Sequence, residues 1–325
     1  MLQPSSQGEA RALVVDALLM AVVIFACIYA IMTAGLTVTY MTTKVPNFAY
    51  GSFVTVGVYV AYTLNKVYGV NPYYTIPGAF LLSGTVAVLM YVLVIRPLTR
   101  RGASLVSKMI ATLAVDVTFV GIFGAYSSYL IWQFGNCCVD AKRFPLLGGD
   151  FFFAGLRGLF IITPLAVAGL AMFLYLLLNR TRFGVSMRAS VENPSLAKIL
   201  GVNVDRVYLI AWFLAGGLAG LAGPLFAMNN GGANDIGSGI IVAIFSAAVL
   251  GGLTSVMGGI IGGLIIGGGQ LYFTYLGAQY LGNWFTNYQN GIPLLIMIIT
   301  LLFFPQGLVA VNYRKLLGSK GKAHG

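Results

Sequence analysis

Charge is what this chain has least of. Only 8% of its 325 residues are Asp, Glu, Lys or Arg, against about a quarter in a soluble domain. Such a surface cannot mainly face water, which excludes ordinary soluble enzymes and DNA-binding modules. The one histidine, His324, stands in the C-terminal tail and cannot serve a buried site. Three cysteines are too few for a disulfide framework. Cys27 falls in the first apolar segment as a small filler. Cys137 and Cys138 are adjacent, a spacing that fits no zinc site and leaves a strained vicinal disulfide as the alternative to two thiols. HExxH, GxSxG, a Walker loop and a plausible catalytic pair of carboxylates are all missing, so the chain offers no catalytic residue, no metal site and no ATPase motif.

Apolar sequence is what fills the space. Hydrophobic residues make up 58% of the chain and mean hydropathy is +0.88. A bilayer core about 30 Å thick needs about 20 apolar residues per spanning helix. Runs of roughly that kind recur at 13–40, 48–64, 74–95, 109–132, 159–178, 207–228, 240–253, 259–281 and 292–304. The expected fold is all-α: a polytopic transmembrane helical bundle of about 8–10 membrane segments, one of them broken or re-entrant on one reading. Residues 1–12 form a polar N-terminal tail without the basic region of a signal peptide, and the following stretch is too long to be a cleaved one. The membrane domain is expected over 13–309, with a loop at 179–206, followed by a basic tail at 310–325.

The net charge of +11 sits between apolar runs rather than on one face, which argues against nucleic acid. Under strict alternation one side holds 14 Lys and Arg, at Lys44, in 96–108, in 180–206 and in the tail; the other holds five, Arg11, Lys66, Lys142, Arg143 and Arg157. The positive-inside rule then makes the 179–206 loop and the C-terminus cytoplasmic, with the N-terminus outside for an odd helix count. Tyr73, Tyr74, Tyr129, Trp132, Tyr280, Trp284 and Tyr288 fall at the outer edges, as an aromatic belt would.

Residues 42–47 interrupt apolar sequence with polar groups and Pro46. They read either as a short cytoplasmic turn or as a broken segment at membrane depth. Of the 42 glycines, many recur at four-residue spacing, as in Gly216 to Gly220 and Gly258 to Gly262, which permits close helix packing in lipid. The run Gly251-Gly252-Leu253-Thr254 has the composition of a breakpoint. Only Asp16, near one membrane edge, and Asp116 place carboxylates in apolar segments; Asp116 reads as a proton relay or as a structural hydrogen-bonding group. In the 179–206 loop, Asn193 is a good N-cap, Pro194 suits the first helical position and Gly201 a left-handed stop, which predicts a short helix over 194–200. Its Leu196, Ile199 and Leu200 share one face. A helix that short must dock, either on lipid headgroups or on a soluble partner with Arg188, Glu192, Asp205 and Arg206 as a charged rim.

At these residues the chain resembles the branched-chain amino acid ABC transporter permease family, the LivH/LivM type. The matching motifs are Gly35-Leu36-Thr37 with Asn47-Phe48-Ala49-Tyr50-Gly51-Ser52-Phe53; Phe183-Gly184, Met187-Arg188-Ala189 and Glu192-Asn193-Pro194, leading to Leu200-Gly201-Val202-Asn203-Val204-Asp205-Arg206; the glycine run 215–223; Ala248 to Leu253; and Phe304-Pro305-Gln306-Gly307-Leu308. The Asn-Phe-Ala pattern is closer to LivH. Two positions depart: Tyr50 stands where His is usual, and Lys44 has no usual counterpart. The resemblance implies a permease subunit of an importer for amino acids, with Leu, Ile or Val the first choice. Its partners would be a second permease subunit, two cytoplasmic ABC ATPases that use ATP and Mg, and an extracellular or periplasmic solute-binding protein; the chain itself would bind no cofactor. The 194–200 helix would couple to the ATPases through Arg188, Glu192, Asn193, Pro194, Leu196, Ile199, Leu200, Gly201, Asp205 and Arg206. Thr37, Asn47, Asn229 and Asn230 are polar candidates for the substrate path, with Phe48, Tyr50 and Gly51 beside them; amides that cap broken helices are the alternative for each. An ion-coupled carrier of a small neutral solute, a permease for urea or short amides and a passive channel remain competing readings.

Overall fold

The computed structural model describes residues 5–135, 138, 140–146, 150–153, 156–303 and 307–308, with side chains from Ala17 onward. Cys137, the basic tail and most of the Phe304 to Leu308 motif lie outside the described residues.

The first helix, α1 (Ser5–Thr43), already includes much of the expected polar tail. Its buried Thr33, Thr37, Thr39 and Thr42 donate their hydroxyls to carbonyls three or four residues back, at 2.7 to 2.9 Å for the shortest bonds. This satisfies polar groups inside an apolar bundle without a second helix. The chain then turns at Lys44, the one described non-glycine residue with positive φ (53°), and runs back inward before α2 (Tyr50–Tyr68) begins. A 3₁₀ turn at Pro72–Thr75 leads into α3 (Ile76–Met90), a π-turn at Tyr91–Ile95 and α4 (Arg96–Arg100), a run long and apolar enough to cross a membrane. α5 (Leu105–Gln133) follows, capped by Ser104.

Beyond α5 the chain makes short strands: β1 (Arg143–Phe144), and the hairpin of β2 (Phe152–Phe153) with β3 (Leu156–Arg157). Then come α6 (Gly158–Arg180), α7 (Arg182–Glu192), α8 (Pro194–Ile199) and α9 (Val204–Asn230). β4 (Gly232–Ala233) pairs antiparallel with β1, Arg143 opposite Ala233 and Phe144 opposite Gly232. α10 (Ile236–Gly251), α11 (Val256–Leu281) and α12 (Gly291–Phe303) complete the bundle.

Each of the nine apolar segments becomes helical. Among the described residues, six runs are long and apolar enough to span, namely those in α1, α3 to α4, α5, α6, α9 and α11, whereas α10 and α12 are shorter. α9 is the hub, packed on α1, α2 and α3, while α11 lies along α1. α5 and α6 present mostly exposed apolar faces, as lipid contact requires. Gly251 ends α10 and Gly252 takes a left-handed φ of 100°, so the glycine run there is the breakpoint expected of it.

Candidate functional site

The interruption at 42–47 begins near the α8 end of the bundle, where Lys44 is exposed and Met41 borders a cavity shared with Asn179 and Arg188, and then returns inward. Val45 and Asn47 are buried, and the Phe48 N–H donates to the Thr112 hydroxyl (3.2 Å), seven residues into α5, about 10 Å along it. Gly57 of α2 packs on the backbone of Gly220, sixteen residues into α9 and so about 24 Å from its start. The first turn of α2 therefore lies near the middle of α9. α10 starts at the same level, because Gly237 sits backbone to backbone on Gly51 and its N–H donates to the Thr55 hydroxyl (3.1 Å). Two helix N-termini thus meet inside the bundle, with α2 running toward the end that carries β1 and β4 and α10 toward the opposite end.

Asp116 of α5 closes this junction. One carboxylate oxygen accepts from Ser52 of α2 (2.6 Å), the other from Ser238 of α10 (2.7 Å). A carboxylate is expensive at such depth, and two hydroxyl donors near two positive helix ends are what make it tolerable. Of the two sequence readings of Asp116, the geometry favours the structural one. Ser52 and Ser238 were not singled out as site residues; Ser52 lies within the 47–53 motif, and each adjoins a glycine that lets the backbones touch.

The predicted path residues divide. Thr37 is buried with its hydroxyl on the Thr33 carbonyl. Asn47 accepts from the Ala49 N–H (3.1 Å) in a tight turn just ahead of α2, whose N-cap is Ala49, and its buried amide nitrogen has no partner among the described residues. Tyr50 is fully buried, its hydroxyl reaching the Ala215 carbonyl (3.4 Å) between α1 and α9, and Phe48 lies against Phe245. Gly51 forms the helix contact. Asn229 and Asn230 bond to each other (2.8 Å) at the end of α9, where Asn230 borders a cavity of about 450 Å³.

At the other end of α9 stands the short helix. α8 covers Pro194–Ile199, with Leu200 as its C-cap rather than its last helical residue, and Asn193 accepts from the Leu196 N–H (3.0 Å). Gly201 has φ 84°. Thr181 caps α7 and Asn203 caps α9, so three capped helices meet within one loop. Ala197 is the residue of α8 that faces inward; Leu196, Ile199 and Leu200 are 51%, 82% and 72% exposed. Glu192 and Arg206 are exposed beside them.

Arg188 and Asp205 have other work. The Arg188 guanidinium donates to the Leu178 carbonyl at the end of α6. Asp205 accepts from Arg96 (2.6 Å) and Arg100 (3.3 Å), which ties the start of α9 to α4. Both brace the loop while staying accessible at its surface. Arg96 and Arg100 carried no signal beyond their charge.

Residues 18–301 match the family described as branched-chain amino acid transport system / permease component. A probable branched-chain amino acid transport permease protein LivH of Methanocaldococcus jannaschii is 41% identical, over 90% of this chain and 92% of its own. The high-affinity permease protein BraD of Pseudomonas aeruginosa is 26% identical over 86% and 91%. An autoinducer 2 import system permease protein LsrC of Klebsiella pneumoniae is 37% identical over 37% of this chain and 33% of its own. No solved structure matches. With a bundle of spanning helices, a match over nearly all of it and the LivH-type motifs in place, the chain belongs to the permease components of branched-chain amino acid transport systems.

Proposed function

We propose that this chain is a permease subunit of an ATP-binding cassette importer that moves Leu, Ile or Val inward across the cell membrane. It works with a second permease subunit, two ATPases that use ATP and Mg, and an external solute-binding protein, and holds no cofactor itself. The α8 end and the C-terminus face the cytoplasm, as the 14 to 5 distribution of basic residues favours.

The observation that carries the reading is α8. It is a capped, braced helix whose three large apolar side chains are uncovered at one end of a bundle with no ATPase motif of its own. Burying Leu196, Ile199 and Leu200 in a partner groove would contribute about 1.5–3 kcal/mol each. Closure of an ATPase pair would move α8, and with it α9 through the Asn203 cap and α4 through Asp205. Since α9 packs on α2, the push reaches the α2–α10 junction.

The test is ATP-driven uptake by the reconstituted assembly, with labelled Leu, Ile, Val, urea and acetamide side by side. Uptake of the branched amino acids that depends on ATP and on the binding protein is expected. Uptake that follows a proton or sodium gradient and ignores ATP would refute the proposal.

A further inference from the structure

The cavity at the outer end of α9 has a composition suited to one ligand chemistry. Its volume, about 450 Å³, lies within the about 300–1,000 Å³ common for small-ligand sites. Phe144, Phe226 and Ile240 make an apolar wall, while Arg143 and Asp235 stand on its border. Both side chains are exposed at its mouth, and neither has an ion-pair or hydrogen-bond partner among the described residues, so both are open to a ligand. Asp235 also occupies the residue before α10, where an aspartate usually caps, and makes no side-chain cap. Its carboxylate is therefore free at the cavity mouth.

The frame is rigid. The β1–β4 pairing sets Arg143 opposite Ala233, two residues before Asp235, so both charges hang from one short ladder. Phe144 is held by the rings of Tyr62 and Tyr59, at centroid distances of 3.9 and 5.8 Å. Gly231, with φ 78°, and Gly232 let the α9–α10 link pass against Phe144, and a side chain at Gly232 would strike that ring.

We infer that this cavity binds the free α-amino acid as a zwitterion, the Arg143 guanidinium taking its carboxylate, Asp235 its ammonium, and the Phe226–Ile240 wall its branched side chain. The inference rests on the proposed amino-acid function and adds the place where solute waits before it reaches the α2–α10 junction. A guanidinium suits a carboxylate through two parallel N–H donors. A hydrocarbon side chain between the two charges gains from the aromatic and aliphatic wall.

The test uses the assembled permease–ATPase complex in nanodiscs, without binding protein, and equilibrium binding of labelled leucine. Competitors are leucinamide, which lacks the carboxylate, and 4-methylpentanoate, which lacks the ammonium. Loss of a charge-assisted bond should weaken leucine binding about ten- to hundredfold in Arg143→Gln and in Asp235→Asn. Arg143→Gln should leave leucinamide binding as in wild type, Asp235→Asn should leave 4-methylpentanoate binding as in wild type, and Arg143→Lys should recover part of the leucine affinity. Misfolding cannot produce that crossed pattern. Equal loss of all three ligands, wild-type leucine binding in both variants, or no leucine binding by the wild-type complex at millimolar concentration overturns the site. Leucine uptake by the complete transporter is scored separately: if it persists while the crossed pattern fails, the site falls and the function stands.

Discussion

Replacing Gly51 by alanine puts one methyl group where two backbones touch. The new carbon would lie 2.6 Å from the Gly237 carbonyl carbon and closer still to its oxygen, against about 3.5–4.0 Å for ordinary carbon contact. The heads of α2 and α10 must therefore part by about 1 Å. That retreat is shared by the bonds across the junction: Gly237 N–H to Thr55 at 3.1 Å, and the Ser52–Asp116–Ser238 bridge at 2.6 and 2.7 Å. Lengthened by that much, the Gly237–Thr55 bond ends beyond hydrogen-bond range, while the two serine bonds, in series through Asp116, each take about half of the retreat and weaken to about 3.1–3.2 Å. Overpacking of this kind costs about 1–3 kcal/mol, which exceeds the about 0.5–1 kcal/mol that alanine gains over glycine in a helix. Gly121 of α5 supplies the control, because a Cβ there meets nothing within 4 Å. Gly121→Ala should therefore raise the thermal midpoint of the detergent-solubilised complex, followed by size-exclusion fluorescence, while Gly51→Ala lowers it and slows ATP-driven uptake. If Gly51→Ala melts at or above Gly121→Ala, or transports at the wild-type rate, the two helix heads are not in contact and the junction is wrong.

Other outcomes follow from the same geometry. Asp116→Ala removes both serine contacts and should lower the thermal midpoint more than Asp116→Asn, which keeps one acceptor and should retain most ATP-dependent uptake; a stably assembled Asp116→Asn complex that fails to transport would restore the relay reading. Leu200→Asp places a charge where an apolar partner surface is expected and should abolish co-purification of the ATPases with membrane insertion intact, so unchanged co-purification would refute the docking role of α8. Asp205→Asn breaks a half-exposed ion pair worth no more than about 1 kcal/mol, so the complex should assemble with a midpoint near wild type; wholesale loss of assembly would mean Asp205 contacts the partner directly. Combining Gly51→Ala with Asp116→Ala should cost less than the two changes added, because both open the same junction; full additivity would show that they act on separate contacts.

Much of the architecture was legible from local chemistry. Apolar runs about one bilayer long became helices, since the backbone has no other way to satisfy itself in hydrocarbon. The α8 stop and start signals are short-range and appear where Asn193, Pro194 and Gly201 predict them. For 42–47, sequence left two readings open, because a proline among polar residues interrupts a helix equally well in a loop or at depth. The structure combines them: Lys44 is exposed at the turn, and from the buried Asn47 and the Phe48 bond to Thr112 the chain runs inward to α2.

Sequence by itself determined that this chain is built of apolar, membrane-length helices and where they break, which follows from composition, periodicity and capping acting over a few residues; its family was legible only through the motifs it shares. Only the tertiary structure decided what Asp116 holds, that Asp205 braces α4, and that Arg143 and Asp235 share a cavity. Each joins residues about 64 to 122 positions apart or depends on which direction a side chain points. No local pattern encodes such a pairing, because it is the packing of helices on glycine backbones that brings the groups within reach.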